Sequence, residues 1–175
     1  MNYTENEMRC YRCCFTGHRP EKLGATEEKT KMLVSSAVDD AIEGGFSTFI
    51  TGMARGFDLW AAEMVLQKKE RYNQIHLICA TPFPGFERSW QEKWRLLYTK
   101  VAREADLRVA ISDRYYKGCF QKRNEWMVRH SMLVIAAYNG QPGGTRNTMD
   151  FAERCGVEVR NIFGGKQRLT DAYHI

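Results

Sequence analysis

Three short segments of this chain combine glycine with residues that bind anions. They occupy residues 15–20 (FTGHRP), 51–58 (TGMARGFD) and 140–145 (GQPGGT), and each closely follows an apolar run. A glycine turn that opens a helix leaves backbone N–H groups free, and such groups bind phosphate or carboxylate. The three segments together therefore predict a binding site for an anionic small molecule.

The first segment supplies a turn and two basic side chains. Gly17 permits a tight turn and a close approach of the backbone to a ligand. His18 is able to donate to a phosphate or to transfer a proton, and the guanidinium of Arg19 matches a phosphate or a carboxylate. The alternative interpretation is an ordinary turn between a strand and a helix, with both basic side chains in solvent.

The second segment places two glycines four residues apart at the start of a helix. Gly52 and Gly56 follow Thr51, so this turn is able to present free N–H groups to an anion. The segment lacks the Lys-Ser/Thr pair of a Walker A loop and the third glycine of GxGxxG. Arg55 either contacts the ligand or lies in solvent. Asp58 either caps the helix or binds a ribose hydroxyl.

The third segment is a glycine loop that leads into another helix. Gly143 and Gly144 precede Thr145, and Asp150 follows within the same predicted helix. A second glycine loop after a different strand predicts a ligand that has both phosphate and sugar parts.

The charge of the chain is concentrated in its middle. The chain has 175 residues and a net charge of +5, and residues 82–130 alone hold eleven basic and six acidic side chains, which is also +5. Nine of the 21 aromatic residues lie in the same segment. This composition suits an anionic ligand or single-stranded nucleic acid. The alternative is a solvated helix face beside core aromatics.

Several classes of site and of location are not expected. Cys10, Cys13 and Cys14 with His18 superficially resemble a zinc cluster, but they fall mostly in a predicted strand and have no second Cys/His pair nearby. We therefore predict no metal and no cofactor. The first residues have no apolar signal core, and no apolar run approaches the roughly 20 residues of a membrane helix. We expect a cytoplasmic protein with reduced cysteines and no membrane partner.

The elements that position these segments alternate along the chain. Apolar runs predict strands at residues 9–16, 46–51, 75–80, 107–111, 132–138 and 157–162. Helical spacing of apolar residues predicts helices after Thr26 and around Trp90 to Val101. Further helices are expected at Phe57 to about Lys69 and over residues 117–130 and 145–154. This alternation predicts one α/β domain over residues 1–175, with a doubly wound, mainly parallel sheet and helices on both faces. In such a fold the ligand lies at the carboxyl ends of the strands.

The motifs together resemble the SLOG superfamily of Rossmann-like proteins. Residues 51–58 resemble the S-G-x-A-x-G-I-D signature of the DprA/Smf proteins, and Gly17-x-Arg19 matches their first loop. Residues 123–131 and the Pro-Gly-Gly of the third segment resemble the LOG family. The whole pattern over about residues 9–163 most resembles the small bacterial YpsA-like proteins. The resemblance implies a nucleotide or nucleotide-derived ligand, such as ADP-ribose or an NAD-like molecule, with the protein acting as a sensor or as an enzyme.

The resemblance to the LOG family implies an alternative, enzymatic function. LOG proteins are phosphoribohydrolases that cleave the N-glycosidic bond of nucleoside monophosphates with an Arg and a Glu. Arg123 falls on the position of that Arg, although Asn124 replaces the Lys that follows it, and Asp150 falls on the position of the Glu. A second alternative, from the DprA resemblance, is single-stranded nucleic acid binding, although nucleic acid is not the partner we expect.

The LOG resemblance also implies a homodimer. The face of the predicted helix around Trp90 and Trp94 is a candidate for its interface, although their helical spacing favours a place in the core over a stacking surface.

Overall fold

The computed structural model describes residues 4–164, in which six strands form one parallel sheet. The strands are β1 (Arg12–Gly17), β2 (Thr48–Thr51), β3 (His76–Thr81), β4 (Leu107–Ala110), β5 (Leu133–Ala137) and β6 (Glu158–Asn161). The helices are α1 (Glu5–Arg9), α2 (Pro20–Leu23), α3 (Glu27–Glu43), α4 (Phe57–Lys69), α5 (Glu92–Glu104), α6 (Cys119–Arg129) and α7 (Gly144–Arg154). The predicted α/β fold is confirmed, and all of the strand pairs are parallel.

The order of the strands defines where a ligand is expected. The sheet runs β4-β3-β2-β1-β5-β6, so β1 to β4 step outward in one direction before α6 carries the chain back to the other side of β1. Cys13 of β1 accordingly pairs with Phe49 of β2 on one side and with Leu133 of β5 on the other. The reversal between β1 and β5 is the switch point of the fold, where a crevice opens above the carboxyl ends.

The four central strands, β1, β2, β3 and β5, are buried on both faces of the sheet. Cys13 and Phe15 point to the face that carries α3, α4 and α5, whereas Cys14 packs on the other face with residues of α6 and α7. Because crossovers between parallel strands are right-handed, the reversal of direction after β4 moves α6 and α7 to the opposite face. Burial on both faces explains why the strands read as continuous apolar runs.

Local signals set most of the helix boundaries. The hydroxyl of Thr26 accepts a hydrogen bond from the N–H of Lys29 at 3.2 Å and so caps α3, which ends at Gly44. The predicted bounds of α4, from Phe57 to Lys69, are also those observed.

The start of the chain differs from the prediction. The first strand begins at Arg12 rather than Arg9, because Arg9 is the last residue of α1. Thr4 and Glu7 form a capping box at the start of this short helix, in which Glu7 Oε2 accepts from the N–H of Thr4 at 2.7 Å. The brief helix α2, which begins at Pro20, was not predicted either.

Candidate functional site

A cavity of about 790 Å³ opens at the carboxyl ends of the strands, next to the crevice between β1 and β5. Its walls come from the three glycine segments, from the connection between β3 and α5, and from α6. Nine of the thirteen predicted site residues line it: Gly17, His18, Arg19, Arg55, Asp58, Arg123, Gly143, Gly144 and Thr145. The other four, Thr51, Gly52, Gly56 and Asp150, lie outside the lining.

Gly17 is explained by packing inside the protein. A Cβ at Gly17 would lie 2.5 Å from Cγ of Phe57, the first residue of α4. Phe57 is buried, and its ring meets that of Phe15 edge to face, with centroids 6.3 Å apart. The absence of a side chain at Gly17 therefore lets the start of α4 pack directly against the end of β1.

His18 is buried in the cavity wall, and one nitrogen of its ring makes no hydrogen bond within residues 4–164. Its backbone N–H donates to the carbonyl of Ala137 at 3.1 Å, which joins the first loop to the end of β5. Its ring lies 5.3 Å from the ring of Tyr138, and within residues 4–164 its Nε2 has no hydrogen-bond partner. Burial, and then the charge of Lys22, lower the pKa of His18. The imidazole is therefore neutral at pH 7, with one ring nitrogen as a donor and the other as an acceptor.

The second glycine segment is held together by its own hydrogen bonds. The hydroxyl of Thr51 donates to the carbonyl of Asp58 at 2.9 Å and accepts from the N–H of Met53 at 3.2 Å. Oδ2 of Asp58 accepts from the N–H of Ala54 at 3.3 Å. Asp58 lies in the first turn of α4, but its carboxylate accepts from the loop that precedes the helix, and no side chain of the described residues caps α4, so the capping interpretation of Asp58 is not supported.

Arg123 reaches from α6 to the same loop. It is buried, and its guanidinium donates to the carbonyl of Gly52 and, at 3.5 Å, to that of Ala80. Its Nε donates to Oδ1 of Asn124 at 2.8 Å. Burial lowers the pKa of Arg123, and the charge of Asp58 opposes that shift. These bonds hold the guanidinium fixed in the floor of the cavity.

Asp58 shares this buried environment with Arg123. Burial raises the pKa of Asp58 to about 6, although the positive charge of Arg123 and the N–H of Ala54 both act to lower it. The floor of the cavity therefore combines a fixed cation with a carboxyl group that exchanges its proton near neutral pH.

The remaining residues of the second segment pack against the first. Arg55 lines the cavity and forms an ion pair with Glu21, so its guanidinium is not free in solvent. Gly56 has a φ of 89°, and a Cβ there would lie 2.6 Å from Cγ of Pro20. This glycine therefore serves the local backbone and the packing of α2.

The third glycine segment leads into a helix whose first turn has no side-chain cap among the described residues. This helix is α7, and it begins at Gly144. Gly143, Gly144 and Thr145 all line the cavity, and Thr145 is buried. The first turn of α7 therefore borders the cavity with the positive end of its dipole and with N–H groups that no side chain satisfies.

Asp150 lies outside the lining of the cavity, to which Arg123 contributes. Its carboxylate forms an ion pair with Arg146 on the same helix, at 2.7 Å. Successive residues of an α-helix turn by about 100°, so Asp150 lies about 140° around the axis from Thr145, which faces the cavity. The two residues that the LOG resemblance pairs as catalytic are thus not brought together.

An aromatic wall on the cavity was not predicted from the sequence. Phe86, Trp90 and Phe120 line it, and we call these three residues the aromatic wall. Phe86 meets Trp90 edge to face at 5.1 Å and Phe120 at 6.3 Å. The signal that could have found it is the density of aromatics in residues 82–130.

The two tryptophans around which the sequence places a dimer interface behave differently. Trp94 is buried in the core, with its ring 5.7 Å from that of Trp60, although it also reaches the cavity lining. Trp90 precedes α5, which begins at Glu92 rather than at Trp90, and it is half-buried against the cavity. They do not form an exposed helix face, because Trp94 is covered by Trp60.

Comparison with known proteins identifies the family. A sequence model of the YpsA SLOG family matches residues 13–155. The chain belongs to this family. Its relatives include a UPF0398 protein of Levilactobacillus brevis, 31% identical over 136 residues that cover 73% of this chain and 72% of the relative. Another is the SPbeta prophage-derived protein YoqJ of Bacillus subtilis, 35% identical over 118 residues that cover 61% and 69% of the two chains.

Solved structures with the same fold agree with the predicted resemblance. The DNA processing protein A of Streptococcus pneumoniae superposes with a TM-score of 0.62 and 17% identity. The match covers 87% of this chain and 50% of that protein. The DNA processing protein A of Helicobacter pylori, whose structure concerns its single-stranded DNA binding mode, has a TM-score of 0.59 and 15% identity over 89% of this chain and 66% of its own.

Two further properties of the described residues bear on the site. Residues 4–164 contain no group of three or more His, Cys, Asp or Glu side chains placed to hold a metal ion. In the same part of the chain, no helix combines the length and the apolar character needed to cross a membrane.

Proposed function

We propose that this protein binds a nucleotide or a nucleotide-derived molecule in the cavity, such as a nucleoside monophosphate, ADP-ribose or an NAD-like ligand. The observation that carries the proposal is that the uncapped first turn of α7 and the unpartnered Nε2 of His18 border the same cavity. The first turn of α7 attracts a phosphate through its N–H groups and its dipole. The imidazole adds a hydrogen bond to a phosphate oxygen or a ribose hydroxyl.

The charges around the cavity favour an anion. Arg19 and Lys22 are exposed on its wall, and Arg123 is buried in its floor. Of the two carboxylates that line it, Glu21 is paired with Arg55, and Asp58 is held between Arg123 and the N–H of Ala54. The volume of about 790 Å³ lies within the range of about 300–1,000 Å³ that small-molecule sites occupy.

The second glycine segment has a different part in this proposal from the one its sequence suggests. The N–H of Ala54 in this segment already donates to Asp58. A side chain at Gly52 would collide with Arg123, and one at Gly56 would collide with Pro20. We therefore assign the phosphate to the α7 end of the cavity, beside β1 and β5, and assign Asp58 and Arg123 to the floor.

A thermal shift assay tests the proposal directly. The probes are AMP, CMP, NAD and ADP-ribose at millimolar concentration, because a ligand at 100 times its dissociation constant adds about 2.7 kcal/mol of stability. His18→Ala should reduce the shift, whereas His76→Ala is the matched control, because His76 is exposed at the amino end of β3. The absence of a shift with all four probes would refute the proposal.

A second candidate function is phosphoribohydrolase activity, favoured by one observation. Asp58 lines the cavity with Arg123, whereas Asp150 does not, and the pKa of about 6 for Asp58 suits proton transfer near neutral pH. Release of free base from AMP, followed by chromatography, tests this function. Asp58→Asn should abolish release if the function is present, and no release by the wild type excludes AMP as a substrate.

A third candidate is single-stranded nucleic acid binding. Tyr116 and Phe120 are exposed, and Lys122 lies over the Tyr116 ring, with its Nζ 6.0 Å from the centroid. Stacked bases and a salt-sensitive affinity are expected of such a surface. A filter-binding assay with a short single strand at low salt tests it, and no retention rejects it.

The oligomeric state and the location belong to the same proposal. A homodimer is proposed from the LOG resemblance, and light scattering coupled to size exclusion measures the molar mass that decides it. A cytoplasmic location is proposed from the sequence, and fractionation of cells that express the tagged chain tests it.

A further inference from the structure

The aromatic wall has an exposure that packing inside the protein does not explain. The side chain of Phe120 is 40% exposed, and Phe120 belongs to neither hydrophobic core of the described residues. Phe86 and Trp90 lie at the edge of one core and are only half-buried. Aromatic surface left open to water costs free energy unless another group covers it, and here it faces a cavity.

The rings of the wall have an arrangement suited to another ring. Phe86 stands at 83° to Trp90 and at 68° to Phe120. Phe120 also meets Phe83 edge to face, with centroids 6.0 Å apart and the rings at 78°. Aromatic rings prefer offset stacks and edge-to-face contacts, and such a surface accepts a flat ring with either geometry.

The charges that line the cavity indicate whether the ring of a bound ligand is cationic or uncharged. Aromatic walls bind cations as well as neutral rings. The cations that line this cavity, Arg19, Lys22, Arg55 and Arg123, outnumber its two carboxylates, Glu21 and Asp58. An ammonium or other cationic ligand would be repelled, so the ring that fits is uncharged.

The aromatic wall and the phosphate end of the cavity follow different strands of the sheet. Phe86 and Trp90 belong to the connection that leaves β3, whereas α7 follows β5, and β2 and β1 lie between these strands. Three strand spacings correspond to about 14 Å. One cavity therefore has an anion-binding end and an aromatic end on opposite sides.

The geometry points to a nucleobase subsite: the aromatic wall stacks on the uncharged base of a ligand whose phosphate lies at the first turn of α7. This inference rests on the proposed function and adds its specificity. It states that a sugar phosphate alone occupies one end of the cavity and that the base provides a separate part of the affinity.

Calorimetric titration with ribose 5-phosphate, AMP and ADP separates the two ideas. We expect the tighter of AMP and ADP to bind at least tenfold more strongly than ribose 5-phosphate, which corresponds to about 1.4 kcal/mol. If ribose 5-phosphate binds as well as both nucleotides, the base subsite is overturned while the proposed function stands. If none of the three binds, the proposed function itself fails for phosphorylated riboses.

Two variants assign the effect to the wall. Phe120→Leu changes an exposed side chain and should keep the fold, and Phe86→Leu is the second variant. Each should lose at least fivefold in affinity for the nucleotide and keep its affinity for ribose 5-phosphate. Tyr72→Leu is the matched control, since Tyr72 is 39% exposed and lies in the turn before β3, away from the cavity. Equal losses for both ligands would overturn the assignment.

Discussion

Asp58 and Arg123 meet at the same backbone position, on either side of Gly52. A Cβ at Gly52 would lie 2.5 Å from Nη1 of Arg123 and 2.6 Å from Oδ2 of Asp58. Both side chains are more than nine-tenths buried. Asp58 belongs to α4 and Arg123 to α6, so side chains of helices from opposite faces of the sheet approach Gly52 at the carboxyl edge. Gly52 is therefore required by this pair, independently of any ligand.

Substitution of Gly52 should destabilise the protein. In Gly52→Ala the new methyl group forces the guanidinium or the carboxylate to move, so we expect the free energy of unfolding to fall by about 1–3 kcal/mol. Gly144→Ala is the control, because a Cβ at Gly144 meets no atom within 4 Å among the described residues. Urea denaturation measures both variants, and equal stability of the two would contradict this account of Gly52.

Asp58 should make the stability depend on pH in a definite direction. Its pKa is raised from 3.8 to about 6 by burial, so between these values the folded state holds a proton that the unfolded state has lost. The stabilisation from this group is complete below pH 3.8 and is lost as the pH rises through 6. Because each tenfold change in proton affinity corresponds to about 1.4 kcal/mol, the stability lost over this range approaches about 3 kcal/mol.

Asp58→Asn isolates that contribution. The amide oxygen can still accept the N–H of Ala54, but the side chain no longer titrates. The free energy of unfolding of the wild type should therefore fall relative to that of the variant between about pH 4 and pH 6.5. A difference that stays constant over this range, measured by urea denaturation, would show that the carboxyl keeps its ordinary pKa.

Ligand affinity should depend on the protonation of His18. Burial and Lys22 hold the pKa of His18 below its ordinary value of 6.5, and a bound phosphate would favour the protonated ring. Affinity for ADP-ribose, whose diphosphate keeps its charge, should therefore rise as the pH falls from 7.5 to 5.5. His18→Ala should flatten this profile in calorimetric titration and His76→Ala should not.

Asp150→Asn should have little effect on the stability of the protein or on its affinity for AMP. Within residues 4–164 the carboxylate forms one ion pair, with Arg146 one turn earlier on the exposed side of α7, and solvent screens such a pair. We expect a very small loss of stability and the same affinity for AMP as the wild type. A tenfold loss of AMP affinity would instead place this carboxylate in the site.

The sequence predicts the elements of this fold well because their signals are local. Thr26 marks the start of α3 with one hydroxyl, and the buried residues of α3, such as Val34, Val38 and Ala41, recur with the period of a helix. The strand order follows only in outline, since the return of β5 to the far side of β1 depends on contacts between residues distant in the chain. The capping box of α1 is a local signal as well, but a helix of five residues is too short for its periodicity to show.

The site was predicted at the level of loops and not of side chains. The sequence places the three glycine segments at the carboxyl edge because parallel strands end there. It cannot show that Gly17 and Gly52 are required by Phe57 and Arg123, because those neighbours come from other elements. The direction of Asp150 and the approach of Phe86 to Phe120 depend on tertiary packing in the same way.

The pairing of β1 with β5 fixes when the cavity can form during synthesis of the chain. Thr16 pairs with Ala136, so the two strands that flank the crevice lie near opposite ends of the described chain. A ribosome-bound chain that ends before β5 has His18 but neither its backbone partner, Ala137, nor the start of α7. The binding site is therefore assembled late, when one distant contact closes most of the sequence into a loop, and this step is expected to be slow.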